Sequence, residues 1–206
     1  MTAAGFFGKL PARGDFVRVG LPRGFTDPWD AWLRRVIPAS RDILGEAWTA
    51  AWLEAPVWRF ALPPGLCGPD AAMGLWMPSV DRAGRYFPLT LARIGAHIGG
   101  SGMVDPHFLS VAEAAGCAAI AEDWAPEALA AHLAAGQEAD GTTPAGDEAD
   151  GTAPAGDEAG ATAPAGAMWW TAGCPRRTAW TFTRPDLPDG LTFAWMLDAR
   201  AGGDVS

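Results

Sequence analysis

The chain has 206 residues, 49% of them hydrophobic and 19% charged, enough apolar material for one core and one domain. A formal net charge of −9 argues against nucleic acid and anionic membranes as general partners, because both repel an acidic surface. No run of about 18 apolar residues occurs, and the opening MTAAGFFGKLPARGDF lacks the basic start and apolar stretch of a leader, so no membrane insertion is expected and the reading is cytoplasmic.

A first strand ahead of KLPARGDF opens the chain. Thr26, Asp27 and Pro28 then predict a helix start, a capping residue followed by proline in the first turn, with Trp29, Trp32, Leu33 and Val36 at helical spacing. That helix should stop near Pro38, and a second from about Ser40 should carry Leu44, Trp48, Ala51 and Trp52 on one face. VWRFAL, residues 57–62, alternates like a strand and ends at Pro63-Pro64-Gly65. Residues 75–94 predict a hairpin with Val80 opposite Arg85, and with Met77 and Pro78 opposite Phe87 and Pro88, so proline removes ladder donors from both arms. Its tip, Asp81-Arg82-Ala83-Gly84, fits a type I turn.

Asp105-Pro106 starts a third helix through Phe108, Val111, Ala115 and Ala119, and Pro126 a shorter one through Leu129 and Leu133. Next comes a repeat, DGTTPAGDEA, DGTAPAGDEA, GATAPAGA, without one large apolar side chain. It cannot bury enough surface to offset backbone ordering, on the order of 1–2 kcal/mol per residue, and is expected to be disordered. MWWTA, AWTFTR and LTFAWML read as closing strands. Together these predict an α+β (α/β) fold, a central mixed but largely antiparallel sheet with helices packed on it. The domain divides into residues 1–136, a disordered acidic Pro/Ala/Gly insertion at 137–167, and the closing part at 168–206.

Chemistry-bearing motifs are few. Eleven tryptophans, with Trp29 and Trp32 and then Trp48 and Trp52 at helical spacing, read as core. Residues 98–103, IGGSGM, match neither the dinucleotide nor the Walker loop, and Asp105 would put a carboxylate where a phosphate should sit. No G-x-S-x-G or H-E-x-x-H occurs, and His97, His107 and His132 have no ligand spacing. Cys67, Cys117 and Cys174 form no C-x-x-C, which suits a reducing compartment. Arg13-Gly14-Asp15 is a chance tripeptide in such a compartment.

Taken together, GFFGKLPARGDFVR, WDAWL, APVWRFAL, GLWMPSVDRAGRYFPLTL and the closing WW and GLTFAWML resemble the TagF (ImpM) family of type VI secretion accessory proteins. The resemblance runs from about residue 5 to 197, apart from the repeat. It implies a cytoplasmic, non-catalytic protein without cofactor or metal, a post-translational repressor of apparatus assembly acting through the system's forkhead-associated (FHA) scaffold protein. The family's signature residues carry over onto Gly8, Pro11, Gly14, Asp15 and Phe16, onto Trp58 and Arg59, and onto Pro78, Ser79, Asp81, Gly84, Arg85 and Pro88. Of these, Gly14 and Gly84 are expected to serve backbone geometry. Against the family pattern the acidic repeat is read as peculiar to this chain, and no appended phosphatase segment is expected.

The residues suggest where such a protein would be gripped. Arg13 and Asp15 in one loop, and Asp81, Arg82 and Arg85 at the hairpin tip, offer opposite charges on proline-stiffened backbone; they are expected to share one edge of the sheet and to be displayed. Stiff loops lose little entropy on docking. The alternative is a metal-dependent enzyme for a phosphorylated or nucleotide ligand, with Asp15 and Asp81 as paired carboxylates. A further one is a structural subunit of the assembled apparatus.

Overall fold

The computed structural model describes residues 3–95, 104–140, 166–175 and 177–201. The repeat and the glycine-rich residues 98–103 lie outside these. The described residues form seven strands, β1 (Ala3–Gly8), β2 (Val17–Val19), β3 (Trp58–Leu62), β4 (Ala72–Met77), β5 (Leu89–Ile94), β6 (Ala167–Thr171) and β7 (Trp180–Arg184). They also form five helices, α1 (Arg23–Leu44), α2 (Trp48–Glu54), α3 (Pro106–Ala121), α4 (Pro126–Asp140) and α5 (Gly190–Leu197). The strands make one sheet in the order β2-β1-β5-β4-β3-β6-β7. Every neighbouring pair is antiparallel, so the sheet is not mixed. β6 begins at Ala167, the last residue that composition gave to the insertion, and joins β3 to β7.

Strand alternation sends side chains to two cores. On one face Phe7, Trp58, Phe60, Trp76, Ala92 and Trp169 meet Trp29 and Trp32 of α1, Trp48 and Trp52 of α2, and Phe193 and Met196 of α5. On the other, Phe6, Met73, Leu75 and Leu91 meet Phe108, Leu109 and Ala112 of α3 and Leu129 and Leu133 of α4. The period of two explains why Arg59, between Trp58 and Phe60, faces α3 and pairs with Glu113. Several buried indoles donate to fixed acceptors, Trp29 to Thr90 Oγ1 at 2.9 Å, Trp32 to Pro188 O at 2.7 Å and Trp58 to Met196 O at 3.0 Å, whereas Trp76 and Trp169 Nε1 meet no partner among the described residues.

Three expectations need correction. α1 is one helix of 22 residues that starts at Arg23 and passes through both Pro28 and Pro38. Both prolines lie on its exposed side, while the opposite stripe buries Trp29, Trp32, Leu33, Val36 and Ile37. Burial of each indole, worth about 4 kcal/mol, outweighs a proline cost of roughly 3 kcal/mol. LTFAWML is helical, not a strand. Asp189 caps α5 by accepting from Thr192 N at 2.8 Å, and the buried residues Phe193, Ala194, Met196 and Leu197 follow helical spacing. A seven-residue apolar run does not reveal its period when most of it is buried. Finally, the hairpin register is shifted by one: Met77 pairs with Leu89 and Val80 with Tyr86, which places Pro78 opposite Pro88.

Candidate interaction surface

Topology brings the two charged loops together. β1 ends where β5 begins, with Phe7 paired to Thr90, and β4 ends beside them, with Met77 paired to Leu89. Residues 9–16 and 78–88 therefore leave the sheet at the same end. The backbones touch at Gly8, whose φ is +136° and where a Cβ would lie 2.0 Å from Pro88 O, so only glycine fits. Ser79 Oγ donates to Lys9 O at 2.8 Å, and Arg82 N to Arg13 O at 3.2 Å.

Asp81 is the hub. Its Oδ1 accepts from Ala83 N at 2.9 Å and Arg85 N at 2.8 Å; its Oδ2 accepts from Arg85 Nε at 2.7 Å and from Lys9 Nζ. Gly84 N donates to Asp81 O and Asp81 N to Arg85 O, a type I turn completed by Gly84 at φ +77°. Arg85 also reaches back to Gly14 O across the loop gap. Burial by itself would raise the Asp81 carboxyl, but the hydrogen bonds from Lys9, from the Arg85 backbone and side chain and from Ala83 outweigh it and hold the group below the usual carboxylate range. The aspartate is thus ionised, sealed from solvent and saturated.

The five charged residues singled out from sequence do converge, but not all are displayed. Arg13, Asp15, Arg82 and Arg85 are exposed, whereas Asp81 has a fully buried side chain. Asp81 organises the tip and is not shown at it, because its neighbours supply donors that water would otherwise provide. For the same reason the Asp15 and Asp81 metal cradle is not assembled: both Asp81 oxygens are already taken. Among the described residues no group of three or more His, Cys, Asp or Glu could hold a metal ion. Gly84 serves backbone geometry, with its positive φ, whereas Gly14 has open space around it and contributes its carbonyl to Arg85. Pro11 and Pro78 are half-buried, Pro88 is buried, and Trp58 is core with Arg59 across the sheet. Sequence reasoning missed the part played by Lys9, buried beneath Phe16 with Nζ 4.7 Å from the ring centroid. The signal was available, since Lys9 is the only lysine in a chain with fourteen arginines.

Phe16 is 42% exposed, yet its ring is held, stacked on Phe7 at 5.9 Å and edge-on to Phe87 at 4.7 Å. It separates two open cavities. One, of about 510 Å³, is lined by Arg13, Asp15, Val17, Val19, Arg82 and Glu127; the other, of about 350 Å³, by Phe7, Arg23, Thr26, Asp27, Asp30 and Arg34, and Phe16 and Arg18 border both. The arginines gather here even though the chain as a whole is acidic.

The family profile of the TagF N-terminal domain, type VI secretion system-associated, matches residues 5–135, which include both loops, the hub and Phe16. The chain belongs to this TagF family. Among solved structures it is similar to PA0076 from Pseudomonas aeruginosa PAO1, with 35% sequence identity, a TM-score of 0.72, and coverage of 100% of this chain and 97% of that one. No curated protein matches. The TagF-family assignment makes the chain type VI secretion system-associated. None of its described helices is long and apolar enough to cross a membrane.

Proposed function

We propose that this TagF-family protein is a cytoplasmic, non-catalytic regulator that restrains assembly of a type VI secretion apparatus by binding its FHA-domain scaffold protein. The observation that carries the reading is the locking of two loops from distant parts of the chain by one buried carboxylate, with Arg13, Asp15, Arg82 and Arg85 left on the outside. A platform fixed before it meets a partner gives up little conformational entropy on docking, as a surface for protein association requires.

The test is a pull-down of the purified FHA scaffold by the full chain and by an Arg13→Glu/Arg82→Glu variant. Both side chains are exposed, so the variant should melt with the parent while scaffold recovery falls about tenfold or more. Equal recovery by the two proteins would remove the platform from the reading. Absence of scaffold from the wild-type pull-down would remove the partner.

A further inference from the structure

β2 is the last strand on its side of the sheet: β1 pairs with one of its edges and, among the described residues, no strand pairs with the other. Such an edge offers backbone donors and acceptors to any extended chain laid alongside it. Val17 faces the α3 and α4 core, and Arg18, opposite Phe7, borders the α1 side. A chain paired to this edge would therefore send alternate side chains over the two cavities that meet at Phe16.

The charges of the groove select its occupant. Arg13, Arg18, Arg23, Arg34 and Arg82 line it against Asp15, Asp27, Asp30 and Glu127. Arg34 pairs with Asp30, and Arg13 reaches Glu127 at 3.7 Å, while Arg18, Arg23 and Arg82 make no ion pair with a described residue. The wall also holds Thr26 Oγ1 and Asp30 Oδ1, shut from solvent and without a hydrogen-bond partner among the described residues. Phe16 supplies a flat aromatic surface whose orientation is set by Phe7 and Phe87. Guanidinium groups match carboxylates in bidentate fashion, and over one Debye length, about 8 Å, a short segment feels the groove's own charges, five arginines against four carboxylates, more than the acidity of the chain as a whole. A long polyanion would feel both.

We propose that the β2 edge receives an extended acidic segment of a partner protein, pairing by backbone with Val17–Val19, presenting carboxylates to Arg18 and Arg23, and laying an apolar side chain on Phe16. The proposal rests on the reading of the protein as a binding partner and specifies what it would grip.

The probe is a fluorescein-labelled peptide, Glu-Val-Glu-Leu-Glu-Val-Glu, titrated into the full chain at low salt beside three controls. These are its all-lysine counterpart, the same peptide with proline for the central leucine, and a twelve-residue oligothymidylate. Saturable binding of the acidic peptide is expected, weakened about tenfold by an Arg18→Glu/Arg23→Glu variant of unchanged melting temperature, and lost with the proline peptide. No saturable binding, equal binding of the lysine peptide, tighter binding of the oligothymidylate, or indifference to the variant would each overturn the proposal. The same variant is then tried against the FHA scaffold. Scaffold retained equally by variant and wild type would show that the scaffold is not the occupant of this edge and leave the regulator reading standing. Scaffold bound by neither, with the peptide still bound, would keep the edge and end the scaffold reading.

Discussion

Lys9 and Asp81, 72 positions apart, form a buried ion pair at the junction of the two loops, and Arg85 reaches the same Asp81 oxygen from the solvent side. Asp81→Asn takes the carboxylate from buried Lys9 and should cost about 3–5 kcal/mol in urea unfolding, whereas Lys9→Met leaves Asp81 paired with Arg85 and should cost less. The double variant should lose clearly less than the sum, since the two share one interaction. Additive losses would mean that the pair contributes nothing as a pair.

The same carboxylate gives a pH signature. The folded-state pKa of Asp81 lies below its unfolded value, so as acid is added the unfolded chain takes up this proton first. The stability it contributes is complete above the unfolded carboxylate pKa of about 3.9 and disappears as pH falls below it. Melting temperature against pH should show a steep acid limb that is shallower in Asp81→Asn. Parallel limbs in the two proteins would show that other carboxylates govern acid unfolding.

Two glycines separate backbone strain from contact. At Gly84 φ is +77° but nothing lies within 4 Å of the position a methyl group would take, so Gly84→Ala should cost only the conformational term, roughly 1–2 kcal/mol. At Gly8 the methyl would meet Pro88 O at 2.0 Å, so Gly8→Ala must part β1 from the hairpin. Thermal or denaturant melts should rank Gly8→Ala at least twice as damaging. The reverse order would show that the hairpin base yields easily.

The cysteines should react in sequence. Cys67 is buried, its thiol pushed up to about 12 by burial, whereas Cys117 lies at the surface, its pKa raised by partial desolvation of the thiol and by the Glu113 charge. Thiolate is the reactive form, so at a pH of about 8 a disulfide reagent should modify Cys117 in the folded protein and reach Cys67 only with unfolding. Early modification of Cys67 would reveal opening of its packing against Phe25, whose carbonyl lies 3.7 Å from Sγ.

Much of the fold is written in local patterns. The alternation in VWRFAL, the Asp105-Pro106 and Pro126 helix starts and the arms of the hairpin each place an element correctly, because cap chemistry and strand period act over a few residues. Local rules failed where burial overrode them. Pro38 breaks helices in water, but not one pinned along its far side by Trp29, Trp32 and Val36. LTFAWML is apolar at its exposed positions as well as its buried ones, Leu191 among them, so its period stays hidden and its helix is announced only by Asp189.

Element pattern and motif order by themselves pointed to an α+β chain resembling the TagF family, with opposite charges placed in two proline-bearing loops. Proline, glycine and side-chain charge exert those effects on their immediate neighbours and can be read without a partner. Which charge faces outward was decided only by the tertiary structure. Asp81 looks identical to Asp15 in a sequence, and its fate turned on Lys9 and Arg85 arriving with enough donors to replace water around one carboxylate and not the other.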